Sequence, residues 1–132
     1  MKYLILIAVT FFGLQTLTTA QDATRIEVRH GHEKPLNQDG IKIRFLAVTE
    51  DSRCPKGVNC VWAGVARVKL EVSKAGGKSC VFEVNTNEKN KPAVFDDLEI
   101  RLEKLDPYPS NGRTIDADEY VATFSIQRDP KK

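Results

Sequence analysis

Few residues in this chain have the type and spacing to carry chemistry. They are three cysteines (Cys54, Cys60 and Cys80), two histidines (His30 and His32) and Ser52, which lies between charged neighbours. Cys54 and Cys60 bracket Pro55-Lys56-Gly57-Val58-Asn59, a stretch whose Pro and Gly let the chain double back. Oxidised to each other, they would close a ring contributing about 2–2.5 kcal/mol by chain entropy, and the ring would matter more for local stiffness than for global stability. In His30-Gly31-His32-Glu33, two imidazoles at i and i+2 of an extended segment can point the same way, and Glu33 adds an oxygen. Such a set suits Cu or Zn. No third firm ligand is visible, so an exposed strand-end loop competes with the metal reading. Ser52 stands in Asp51-Ser52-Arg53, not in the G-x-S-x-G turn that presents a nucleophile. The sequence has neither a phosphate-cradling Gly-rich loop nor a dinucleotide fingerprint. The acidic clusters Asp96-Asp97-Leu98-Glu99 and Asp116-Ala117-Asp118-Glu119 miss the EF-hand spacing and read as solvated loop charge. The chain therefore reads as a non-enzyme with no catalytic residues and no cofactor.

The redox reading of the cysteines depends on the compartment. Lys2 followed by the uncharged, mostly apolar Tyr3–Leu14 has the form of a secretory signal, and the apolar run is short for a bilayer span. Thr18 and Ala20 place small side chains at −3 and −1 of a cleavage site, so residues 1–20 read as a signal peptide and 21–132 as one domain. An uncleaved membrane anchor is the alternative. No Cys follows the apolar run to carry a lipid. With no second apolar segment, the mature chain of about 110 residues is expected to have no membrane span and to be a monomer. In an oxidising compartment Cys54 and Cys60 are natural partners. Cys80 is left over; it shares strand parity with Phe82 and Val84 and reads as a buried free thiol, with an intermolecular disulfide as the alternative.

The elements that must position these residues alternate with period two. Ile26/Val28, Ile41/Ile43/Phe45, Ala66/Val68/Leu70/Val72, Cys80/Phe82/Val84, Leu98/Ile100/Leu102 and Tyr120/Ala122/Phe124/Ile126 each alternate with mostly polar neighbours. That predicts about six half-buried strands and no amphipathic helix. Turn chemistry separates them: Asn37–Gly40, Ala75–Lys78 with paired glycines, the polar loop Thr86–Pro92, and Ser110–Arg113. Pro107-Tyr108-Pro109 cannot donate ladder hydrogen bonds at either proline. Without a helix to cover a sheet face, the apolar faces must bury each other. The expected fold is an all-β, immunoglobulin-like antiparallel sandwich, with a small β-barrel as the alternative. Lys and Arg total 20 against 18 Asp and Glu, a net charge of +2, which argues against a nucleic-acid binder.

Glu50–Gly64 looks least like scaffold, because it joins two strong strands and holds the single Trp, Trp62. Asp51 and Ser52 can fix the approach to the ring, with Arg53 paired to Asp51 or Glu50. Trp62 is expected against the disulfide or capping the core. The string D-S-R-C-P-x-G-V-x-C-V-W-A-G resembles that of a group of small exported bacterial domains. The likeness extends to Gly31, to Pro107-Tyr108-Pro109 and to the strand led by Tyr120. It implies the domain boundary, the ring disulfide and a bacterial envelope location, and it carries over no activity. The expected role is a non-catalytic binding or accessory module for an envelope protein or ligand, secreted or periplasmic. Its binding loop would be Asp51, Arg53, Lys56, Val58 and Trp62, with Lys56 and Val58 making contact and the other three supporting them. The alternatives are a rigid crossover with no partner, a metal-binding protein using His30 and His32, a protease inhibitor presenting Lys56, and strand addition at an exposed edge or at Pro107–Pro109.

Overall fold

The computed structural model describes residues 23–36, 40–87, 89 and 91–129. The signal-peptide reading of 1–20 lies outside them, as do most of the Asn37–Gly40 turn, two residues of the Thr86–Pro92 loop and the C-terminal Pro130-Lys131-Lys132. The described chain forms eight strands: β1 (Thr24–Arg29), β2 (Glu33–Leu36), β3 (Ile41–Asp51), β4 (Ala66–Lys74), β5 (Ser79–Asn85), β6 (Ala93–Phe95), β7 (Leu98–Asp106) and β8 (Val121–Arg128). They build two four-stranded antiparallel sheets, in the orders β1-β8-β7-β6 and β2-β3-β4-β5.

The expected sandwich is the architecture observed. Alternation is the cause: Ile41, Ile43 and Phe45 on β3, Ala66 to Val72 on β4, Ile100 on β7, and Ala122, Phe124 and Ile126 on β8 turn inward into one core. The rings of Phe45 and Phe124 meet edge to face across the two layers, with centroids 6.5 Å apart. The layering is that of immunoglobulin domains, while the connectivity is a meander. Apart from β1 beside β8, hydrogen-bonded neighbours are consecutive in sequence. Two strands escape the sequence reading. β2 is a four-residue edge strand carrying Pro35, and β6 has only three residues. Neither is long enough to display a period.

Strand direction alternates around the meander, so the connections after β1, β3, β5 and β7 gather at one end of the sandwich. The candidate site lies there. At the other end the turn before β5 is as read: Gly76 and Gly77 adopt φ of 100° and 128°, and the Gly77 N–H donates to Lys74 O. Among the described residues no helix is long and apolar enough to cross a membrane.

Candidate functional site

The connection between β3 and β4 is closed at its base by Ser52. Its N–H donates to Val65 O at 2.9 Å, and its hydroxyl accepts the Val65 N–H at 3.0 Å. Ser52 thus works as a clasp between the two arms of the connection. Close approach of the two strands here requires glycine at 64, because a Cβ on Gly64 would lie 1.5 Å from Ser52 O.

Beyond the clasp, Cys54 and Cys60 form the expected disulfide, with Cα atoms 5.9 Å apart. Inside the ring the Val58 N–H donates to Pro55 O at 3.2 Å. This is a tight turn with Lys56 and Gly57 at its centre, and Gly57 at φ 83° supplies the conformation a side chain would resist. The ring is docked as well as closed. The Lys56 N–H donates to Pro109 O at 3.0 Å, and Lys56 pairs with Ser110 as a parallel bridge. The Pro107–Pro109 segment, with a cis Asp106–Pro107 bond, therefore serves as the ring's rest.

Arg53 fastens the two together. It is 8% exposed and donates four hydrogen bonds: Nε and Nη2 to the two oxygens of Asp51 (2.7 and 2.8 Å), Nη1 to Leu105 O (2.5 Å) and Nη2 to Pro107 O (3.2 Å). Its guanidinium carbon stands 4.9 Å from the centre of the Tyr108 ring, and Lys56 Nζ stands 5.9 Å from the same centre. Asp51 also accepts the Tyr120 hydroxyl at 2.9 Å. Burial works to raise the Asp51 carboxyl, but the hydrogen bonds from Arg53 and Tyr120 and the charge of Arg53 outweigh it and hold the group below its ordinary value. The Tyr120 hydroxyl is pushed up to about 12 by burial, and then by its bond to Asp51 and the charge on that carboxylate. Asp51, Arg53 and Tyr120 thus join the ends of β3 and β7 to the start of β8.

Of the residues expected in the loop, Asp51, Arg53 and Lys56 come together, and Val58 is exposed on the ring. Trp62 does not support the loop. It is 83% exposed and Val61 beside it 89%, so neither covers the disulfide or caps the core. The clasp and the ring dictate this, since a chain pinned at Val65 and at Cys60 leaves too few residues between them to fold back onto the sandwich. Sequence reasoning missed Gly64, Leu105 and the docking role of Pro109. The W-A-G step after the second cysteine was the only local signal available for Gly64.

The other expected sites lie outside the loop, although the His30 N–H donates to Tyr120 O at 2.9 Å. His30 and His32 lie not on an extended segment but across a turn in which Gly31 has φ 76° and the chain passes from one sheet to the other. The His30 ring packs edge-on against Phe45, with centroids 5.4 Å apart, and His32 Nδ1 lies 3.0 Å from His30 O. Among the described residues no group of three or more His, Cys, Asp or Glu could hold a metal. Cys80 is half-buried, not fully buried, because β5 is an edge strand whose inner face is open on one side. It carries no bridge, so it is a free thiol as read.

Fold and site together define an all-β sandwich with a disulfide-closed loop moored at one end. No protein-family profile, no curated protein and no solved structure matches the chain.

Proposed function

We propose that the protein is an exported, non-catalytic binding or accessory module that makes contact through the connection between β3 and β4. One observation carries this reading: consecutive apolar side chains, Val61 and Trp62, stand almost fully in solvent on a loop fixed by a clasp, a disulfide and a buried arginine. Trp is enriched among residues that dominate binding energy, and a loop ordered before contact reduces the ordering cost of association. Val58, Val61 and Trp62 supply the contact, with Lys56 at its margin, and Asp51 and Arg53 hold the loop. Export is supported by the signal-like segment from Lys2 to Ala20 and by the disulfide, which persists in oxidising compartments.

Crosslinking capture from a detergent-free envelope extract, with retained protein and lipid both counted, tests the reading. The wild-type chain should retain material that the V61A/W62A variant does not, while both unfold within about 0.5 kcal/mol of each other, as expected for surface substitutions. Equal capture by the two proteins would refute it.

A further inference from the structure

Resting on that reading of the loop, we propose that its partner is a phospholipid surface. Val58, Val61 and Trp62 would enter the headgroup–acyl boundary, and Lys56 would meet the lipid phosphates. Two features of the site favour a bilayer.

The first is charge. Residues 54–65 contain no Asp or Glu, and Lys56 is their one cation. Four acids at the root of this end are matched: Glu50 by Arg67 at 3.2 Å, Asp51 by Arg53, Asp106 by Lys104 at 3.1 Å, and Glu119 by Arg113. Asp116 and Asp118 lie on the connection between β7 and β8, at the same end of the sandwich but outside the contact loop. The contact loop therefore presents a positive charge beside an apolar tip, the pattern complementary to an interface of phosphates over hydrocarbon.

The second is composition. Trp and an adjacent aliphatic residue are the pair that settles at a bilayer boundary, because the indole is apolar over most of its area and carries one N–H donor.

The sequence contains one Trp, so intrinsic emission reports on the proposed contact directly. The experiment uses the chain from Gln21 onward, which holds all eight strands, titrated with phosphatidylcholine vesicles and with vesicles containing one-quarter phosphatidylglycerol. Emission from Trp62 should move to the blue on vesicle addition, and acyl chains brominated near the headgroup should quench it. Val61→Asp should weaken partitioning at least about tenfold, the effect of losing one apolar side chain from the contact and adding a charge. Lys56→Ala should weaken it by roughly fivefold on the anionic vesicles and less on the neutral ones. Unchanged emission at millimolar lipid would overturn the proposal, as would a shift that Val61→Asp leaves intact. If vesicles fail while capture from the extract still depends on Val61 and Trp62, the lipid assignment falls and a protein partner takes its place. If capture does not depend on them, the reading of the loop itself falls.

Discussion

Replacing Arg53 by Met tests whether one side chain moors the loop. Methionine keeps most of the stem and removes the guanidinium, so the packing loss is small and the polar loss is complete. Three groups lose their donor: Asp51, Leu105 O and Pro107 O. Breaking a buried ion pair by removing one partner typically costs about 3–5 kcal/mol, because the other charge is left unpaired in a poorly solvated place. Asp51 keeps the Tyr120 hydroxyl and a little solvent contact, which puts the expected loss at the lower end, about 3 kcal/mol. Urea unfolding followed by far-ultraviolet circular dichroism measures it. The pH dependence should carry the signature of the pair. The Asp51 carboxyl is depressed in the folded state, so its contribution is present above the unfolded value of 3.8 and is lost as pH falls through the lower folded value. The gap between wild type and variant should therefore be full at neutral pH and narrow below about pH 4. In a double-mutant cycle with Asp51→Asn, the two substitutions should couple by more than about 1 kcal/mol. A loss under about 1 kcal/mol with no coupling would mean that the guanidinium does not anchor the loop, and the argument for a preformed contact surface would fail with it.

Three further outcomes follow from the same geometry. Tyr120→Phe should cost about 1–2 kcal/mol at neutral pH. The variant should also lack the part of the alkaline destabilisation that wild type shows between pH 10 and 12, since a hydroxyl raised to about 12 stabilises the fold below its unfolded value and ceases to as pH passes the folded one; identical base titrations of the two proteins would contradict the assignment. Gly64→Ala should lower stability by roughly 2–3 kcal/mol, because a Cβ 1.5 Å from Ser52 O forces the base of the loop apart, and a melting curve unchanged from wild type would show that the strands part freely there. Replacing both Cys54 and Cys60 by Ser should cost about 2 kcal/mol and should leave the core strands protected in hydrogen exchange while the Lys56 and Val58 amides lose protection; global loss of exchange protection would show that the ring holds the fold and not merely itself.

The sheets were legible wherever a strand was long enough to show its period. β4 repeats apolar residues from Ala66 to Val72 and β8 from Ala122 to Ile126, and the burial of both follows that parity residue by residue. The disulfide was legible because its two ends are close in sequence, and its turn chemistry sits between them. Trp62 misled because apolarity fixes burial in one direction only: cores are apolar, but an apolar residue need not be in the core. The mooring was half legible. The pair of Asp51 with Arg53 spans two positions, whereas the carbonyls that complete it belong to Leu105 and Pro107, more than fifty residues on. A backbone carbonyl has the same chemistry in every residue, so no side-chain pattern announces which of them accepts from a distant arginine. The Tyr120–Asp51 bond is equally non-local and depends on β8 starting beside the end of β3.

A buried ion pair needs a reason beyond stability, since well-packed apolar residues of similar volume often stabilise a fold as much. Here the reason is geometric. At the end of β7 and just beyond it, the carbonyls of Leu105 and Pro107 both accept from Arg53, in a segment whose prolines have no N–H to contribute to a ladder, and at the end of β3 the same guanidinium meets the Asp51 carboxylate. An aliphatic side chain would bury area there and supply none of these hydrogen bonds. The guanidinium, with its planar fork of donors, can hold Asp51 bidentately and still reach Leu105 and Pro107. Holding them sets Pro107–Pro109 where Pro109 O receives the Lys56 N–H, and that contact fixes the ring on the side the disulfide leaves free. With both sides of the ring fixed, the five residues from Val61 to Val65 run directly from the disulfide to the Ser52 clasp. Val61 and Trp62 are thereby held in solvent by the surrounding covalent and hydrogen-bonded frame, although no packing of their own favours that position.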